Sequence, residues 1–435
     1  MSKKGQLLYK KAKKIIPGGT HLFSKRPEML LPDKWPAYYS KADSYFVWDL
    51  EGNKYKDMSF YVGTNSLGYC HKEIDAAVKD KINLGNMATL NSYEEVELAQ
   101  RLIDLHPWSD MARFARTGGE ANSIAIRIAR AATNNERVAM CGYHGWHDWY
   151  LSANLNSSDS LSGHLMTGLS TTGVPDALRN TVFPFEYNNI EQLTRLVEEK
   201  NIGTIKMEVS RNYGPNENYL ESVRDLATKK GIVLIFDECT SGFRASFGGL
   251  HKVFNVEPDM AIFGKALGNG YAITGVIGKE ECMSHAQDSF ISSTYWTEGI
   301  GFAAALKTLE VMEKLRSWEM LVHNGNDIVK NWESISSNNG LEIDILGLKA
   351  IPSFRFKTEN HLAYKTFITQ EMLKSGFLAS NLIYVTTLHR PDIMEPYYQK
   401  LDEIFKIIKQ CEEGNKKIHT LLDGDVCHSG FKRLN

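Results

Sequence analysis

The sequence predicts an α/β fold, with a large domain on a mostly parallel sheet and a smaller α+β domain after it. Three observations carry this. From about residue 70 to 310, short apolar strands alternate with amphipathic helices, as in a parallel sheet covered on both faces. Two of those strands end on charged groups, where ligand sites open beyond parallel sheets. After about 310, long helical patterns and a few short strands replace the alternation. A chain of 435 residues is long enough for two or three such units. The expected division is an N-terminal segment (1–50), a large domain (51–310) and a small C-terminal domain (311–435).

In chain order, the basic N-terminus places Leu8, Ala12, Ile15 and Ile16 on one helical face. It has neither the apolar run nor the Arg- and Ser-rich character of a targeting peptide, and reads as a docked surface helix. "YFVWDLEGNKYKDM" (45–58) alternates apolar residues around "EGN", the pattern of a β-hairpin. "RVAMCG" (137–142), "TIKMEV" (204–209), "GIVLIFD" (231–237) and "MAIFGK" (260–265) read as strands. "ESVRDLATKKG" (221–231) reads as a helix stopped by glycine. A long helical pattern runs to Trp332, a short strand follows in "IPSFRF" (351–356), and a last amphipathic helix spans about 396–417.

Composition narrows the function. A formal net charge of −2 gives no footprint for nucleic acid or an acidic membrane. No apolar run has the length of a membrane span. Six cysteines are scattered without a CxxC pair, which points to a reduced, cytoplasmic protein without a structural metal.

The chemistry-bearing residues fall into four pieces. "GIVLIFDE" ends on Asp237 and Glu238, and "MAIFGK" ends on Lys265, 28 residues beyond Asp237. That spacing suits a strand, a crossover and the next strand, so Asp237 and Lys265 can face one site. The plain alternative is two solvated strand ends. Gly264, Gly268 and Gly270 argue for the close approach of another body. The third piece, "RTGGEANSIAIRIAR" (116–130), has capping-box spacing at Thr117 and Glu120. Gly118 and Gly119 leave first-turn amides uncovered, as an anion cradle requires or as a simple cap allows. The fourth, "CGYHGWHDWY" (141–150), offers Tyr143 to stack on a planar ring, or else forms an aromatic core cluster. His144 and His147 have i,i+3 spacing, but no third ligand accompanies them and no metal is expected. Together, an amine, a carboxylate, a phosphate cradle and an aromatic plate suit pyridoxal 5'-phosphate. The lysine would form a Schiff base, the aspartate would keep the ring nitrogen protonated, and the freed lysine would move a proton.

"IFDECTSGFR" (235–244) and "FGKALGNGYAITGVIG" (263–278), in this order, resemble class III aminotransferases, within them the glutamate-1-semialdehyde 2,1-aminomutase-like group. The likeness extends from "KKIIPGG" to the final helix. It implies the fold-type I architecture with a seven-stranded, mostly parallel sheet, and a homodimer with the cofactor at the subunit interface. By motif it makes Lys265 the Schiff-base lysine and Asp237 the partner of the pyridine nitrogen. Gly118 and Gly119 match the phosphate loop, and Tyr143 and His144 match a Tyr-His-Gly element. Asn212 resembles an asparagine near the ring hydroxyl, and Thr294 a threonine reaching the neighbouring subunit's phosphate. Cys239 replaces the valine or isoleucine that packs beneath the ring.

Departures bear on the substrate. Where the aminomutases have a carboxylate-binding arginine, ungapped counting places Lys25, with Arg26 next. Only an arginine offers a planar fork. "YVGTNSLGY" (61–69) and "WTEGIG" (296–301) replace other mutase elements. "SKRPE", "YHGWHDWY", "LASNLIYVTTLH" and "VCHSGFKRL" resemble a sub-branch found among surface-polysaccharide and sugar-nucleotide genes. The implied partners are an amino donor, with L-glutamate foremost, and a keto or aldehyde acceptor, sugar-derived carbonyls among them. An intramolecular aminomutase is the alternative, and a non-catalytic relative a third reading that joint retention of Lys265 and Asp237 opposes. The Ser-, Gly- and Thr-rich segment 154–175 suits either a lid or a loose loop.

Overall fold

The computed structural model describes residues 4–434, except Leu165, Arg211 and the side chain of Tyr61. It divides into two compact units, residues 72–319 and residues 1–71 with 320–435. The sequence-based boundaries lay at 50/51 and 310/311.

The second unit opens the chain. Its strands β1 (Tyr39–Asp43), β2 (Phe46–Asp49) and β3 (Lys54–Asp57) are antiparallel neighbours. The β2–β3 turn is the expected hairpin. Asp49 closes it by accepting the amides of Glu51 (2.9 Å) and Asn53 (2.8 Å). The preceding helix, Lys4–Ile15, differs from expectation. It buries Tyr9 and Ala12, while Leu8 and Ile15 are exposed. Tyr9 anchors that rotation by donating to Glu28 (2.8 Å), a long-range bond that the local apolar pattern does not encode.

The first unit holds a seven-stranded sheet. Its strands are β4 (Met111–Ala115), β5 (Val138–Cys141), β6 (Val182–Pro184), β7 (Thr204–Glu208), β8 (Val233–Glu238), β9 (Met260–Phe263) and β10 (Thr274–Gly278). The order is β4-β10-β9-β8-β7-β5-β6. Strands β6, β5, β7, β8 and β9 run parallel, and β10 runs antiparallel to both β9 and β4. Every residue of β5, β7, β8 and β9 is buried, which accounts for their continuous apolar runs. The helix Gly118–Thr133 covers one face. Its Ile124, Ile128 and Ala129 pack with Val138, Met140, Ile235 and Ile262. The helix of "ESVRDLATKKG" spans Tyr219–Lys230 and stops on Gly231 at φ 66°.

The chain then returns to the second unit. Strands β11 (Ile343–Leu346) and β12 (Ser353–Phe356) form an antiparallel pair, and β13 (Phe377–Leu378) adds parallel to β3. Trp332, Phe354, Phe356, Tyr397 and Phe405 form the core there, and the Trp332 indole donates to Tyr397 Oη (3.1 Å). The helical pattern ending near Trp332 is two helices, Gly299–Leu315 and Ser317–Asn338, parted by Arg316 at φ 50°. The last helix is Pro391–Glu412, five residues ahead of the expected start. Pro391 occupies the first helical position, where proline is well suited, and buried Ile393, Met394 and Tyr397 hold the turn containing Pro396.

Candidate active site

Strands β8 and β9 are parallel neighbours with Asp237 level with Ile262, so their carboxyl ends open on the same sheet edge. That register brings Asp237 and Lys265 to one place. Asp237 is almost wholly buried. One carboxylate oxygen faces His144 Nδ1 at 2.8 Å, and the other accepts the Cys239 amide at 3.0 Å. Burial alone would raise its pKa. The Lys206 ammonium and the His144 hydrogen bond outweigh that and hold Asp237 below the usual carboxylate range. His144 is fully enclosed, its Nε2 3.0 Å from the Cys141 carbonyl. Burial, then Lys206, lowers its proton affinity against the pull of Asp237.

Lys265 is reached from Gly264 and has a left-handed φ of 45°, an uncommon conformation for a side chain of this size. Its Nζ donates to Thr240 Oγ1 at 2.7 Å. Burial lowers the amine's pKa from its ordinary value, which raises the neutral, nucleophilic fraction.

The capping box forms. Thr117 Oγ1 accepts the Glu120 amide (3.4 Å), and Glu120 Oε2 accepts the Thr117 amide (2.9 Å). Gly118 and Gly119, just inside, present first-turn amides. A side chain at Gly119 would come within 3.2 Å of His147 Nε2, and one at Gly145 (φ 104°) within 3.1 Å of the Gly119 backbone. The 142–147 loop thus seats directly on the helix start. Cys239 Sγ lies beneath, 3.5 Å from a Cβ built on Gly118 and 3.4 Å from one built on Gly264.

Tyr143 is 39% exposed, with its ring edge-on to Tyr150. Its amide donates to Glu208 Oε2 at 3.0 Å, and Glu208 is level with Asp237 on the next strand. Asn212 and Thr294 are exposed, on the loop after β7 and on the short turn Thr294–Thr297. Lys25 and Arg26 belong to the other unit. Lys25 is exposed, while Arg26 lies over Phe23 (4.9 Å) and Phe431 (5.5 Å) and donates to the Lys432 carbonyl (3.1 Å). His147 bonds Ser123, and among the described residues no three His, Cys, Asp or Glu converge as metal ligands. The segment 154–175, apart from undescribed Leu165, is pinned by Asn154. That side chain donates to Leu169 O and accepts from Leu161 N, both at 2.9 Å.

Three residues of this region escaped the sequence reading: Thr240, Glu208 as the anchor of the Tyr143 loop, and Lys206. Only Lys206 left a local signal, a cation in the middle of the apolar strand "TIKMEV".

The arrangement fits pyridoxal phosphate. Asp237 is held as an anion with acceptor capacity left beyond its two donors, burial lowers the Lys265 amine's pKa, and Gly118 and Gly119 present first-turn amides suited to a phosphate.

Comparisons agree. The family model "Aminotransferase class-III" matches residues 32–395. The 3-aminobutyryl-CoA aminotransferase of Cloacimonas acidaminovorans is 33% identical, over 90% of each chain. The 2'-deamino-2'-hydroxyneamine transaminase of Streptomyces kanamyceticus is 28% identical over 85% of this chain and 92% of its own. A glutamate-1-semialdehyde 2,1-aminomutase of Methanothrix thermoacetophila is 32% identical over 71% of each. The FumI protein of Sphingopyxis sp. MTA144, solved in its pyridoxal-phosphate form, shares the fold. Its TM-score is 0.85 and its identity 23%, over 96% of this chain and 99% of that one. No helix of the described residues is long and apolar enough to cross a membrane. With the match spanning most of its length, the chain belongs to the class III aminotransferases and is a pyridoxal-phosphate-dependent enzyme.

Proposed function

We propose that this enzyme is an intermolecular aminotransferase acting as a cytoplasmic homodimer. It moves an amino group from an amino acid, L-glutamate foremost, to a keto or aldehyde acceptor, sugar-derived carbonyls included. The observation that carries the site is the juxtaposition of Asp237 and Lys265 at neighbouring carboxyl ends of β8 and β9. Bound pyridoxal phosphate supplies an aldehyde for amines and a ring that accepts an electron pair. Lys265 would hold that aldehyde between turnovers and, once freed, would take the proton from the substrate's amine-bearing carbon. Asp237 would keep the proton on the ring nitrogen. The Gly118 and Gly119 amides would hold the phosphate, with Tyr143, His144 and Cys239 bordering the ring. Asn212 is assigned to the ring hydroxyl and Thr294 to the phosphate of the neighbouring subunit.

One observation favours transfer between molecules over an internal shift. The mutase arginine position holds Lys25, an exposed residue without a planar fork. Lys25 and Arg26 remain the assigned contacts to a substrate anion. The relative named as a 2'-deamino-2'-hydroxyneamine transaminase supports a sugar-derived carbonyl as acceptor.

The test is a single turnover with excess L-glutamate, following the cofactor's visible band and released 2-oxoglutarate. Loss of the band with one equivalent of keto acid is expected. A persistent band with no keto acid, followed by turnover of glutamate-1-semialdehyde alone, would establish the mutase instead. Borohydride treatment and peptide mapping should find the cofactor on Lys265, and an unmodified Lys265 would refute the site.

A further inference from the structure

The least expected residue near the site is Lys206, the middle residue of β7. Its side chain is fully buried, and among the described residues Nζ has no hydrogen-bond partner. Strand register fixes its place. Lys206 pairs with Met140 on β5 and Ile235 on β8, and one pleat further on Glu208 pairs with Asp237. Residues two apart on a strand share a face. Lys206 therefore sits one pleat below Asp237, on the face where Met140 and Ile235 pack against the helix Gly118–Thr133. An ammonium without a partner in such a layer is costly, and apolar replacements of buried charges are often neutral or stabilising. A charge that the fold does not need suggests a charge that the site does.

We infer that Lys206 is a positioning residue whose buried ammonium keeps Asp237 anionic, leaving the carboxylate's charge for the cofactor's ring nitrogen. This inference rests on the reading of Asp237 given above. The charged and titratable groups facing Lys206 are Asp237 and Cys239 at the end of β8, Glu208 on its own strand and His144 after β5. Lys265 stands beyond Cys239. Among these, Lys206 is the foremost charge favouring ionised Asp237 and the foremost charge opposing protonated His144. Burial pushes the lysine down to about 8, so the ammonium still predominates at neutral pH. Without it, Asp237 would take a proton more readily in acid, and a protonated Asp237 cannot hold a pyridinium.

The experiment compares full-length wild type, K206M and D237N, stripped of cofactor and titrated with pyridoxal 5'-phosphate at pH 7.5 and pH 5.5, with thermal melts of each. K206M should bind about tenfold more weakly at pH 5.5, the equivalent of about one pKa unit of lost charge interaction, with a smaller deficit at pH 7.5 and an unchanged or higher Tm. Wild-type affinity in K206M at both pH values would overturn the inference. So would a lowered Tm with an equal deficit at both pH values, which is the signature of a merely structural lysine. D237N should lose most of its affinity. If D237N loses affinity and K206M does not, the role of Lys206 alone fails. If D237N binds normally, the assignment of Asp237 fails, and the inference with it.

Discussion

Strand β8 ends on two adjacent carboxylates, and each faces a histidine at 2.8 Å. On one face of the sheet Asp237 meets His144, and on the other Glu238 meets His251. The second pair is closed. Among the described residues Glu238 accepts four donors: the His251 ring and amide, the Ser241 hydroxyl and the Leu250 amide. His251 is held in turn by the Trp108 indole (3.0 Å). Among the described residues Asp237 accepts two, the His144 ring and the Cys239 amide. Both carboxylates are buried and both lie below their ordinary pKa. The difference between a structural carboxylate and a reactive one is therefore its degree of saturation. A carboxylate that has used its acceptor capacity fixes a loop, and one with capacity left can bind something else.

The largest expected effect lies on the open side. Lys265→Ala should lower turnover by roughly 10⁴-fold, since it removes both the amine and the proton carrier. Circular dichroism and the melt should stay near wild type. Glu238→Ala should do the reverse, costing roughly 3–5 kcal/mol of stability in denaturant because the buried polar partners of Glu238 are stranded. Asp237→Asn should cost little stability and most of the cofactor affinity. If D237N and E238A lose stability equally, the contrast between the two faces collapses.

Acid sharpens the same comparison. For Glu238, burial raises the pKa, and the His251 hydrogen bond and the other donors more than reverse it. A depressed folded pKa gives stability that is full above the unfolded value of about 4 and is lost as pH falls through the folded one. Glu238→Gln should therefore flatten the acid limb of the stability profile, measured by urea unfolding between pH 7 and pH 3. Thr240→Val removes the Lys265 hydrogen bond and should lower turnover about tenfold with an unchanged melt. The smallest effect belongs to Gly119→Ala. The added methyl meets His147 at 3.2 Å, and a shift of a few tenths of an ångström should weaken cofactor binding about twofold to fivefold, read by titration.

Much of this was legible in sequence because it is local. Apolar runs of four to six residues marked β5, β7, β8 and β9, and Thr117 with Glu120 marked the helix that begins at Gly118. The helix Lys4–Ile15 was misoriented because a bond to Glu28, not its own pattern, selects its buried face. The last helix began early because two prolines competed for its first position, and tertiary burial of Ile393 and Met394 chose Pro391.

By itself, then, the sequence determined which residues could do chemistry: an amine and a carboxylate at strand ends, and glycines at a helix start. It determined these because residue type and short-range spacing state them directly. Which carboxylate is free to act, and which cation stands behind it, only the tertiary structure decided. Asp237 and Glu238 are neighbours in sequence and opposites in space. The pleat sends them to different faces, and residues 93 positions before one and 13 after the other decide their fates. Lys206 became significant only when the β7–β8 register set it one pleat from Asp237, because charges act through space rather than along the chain.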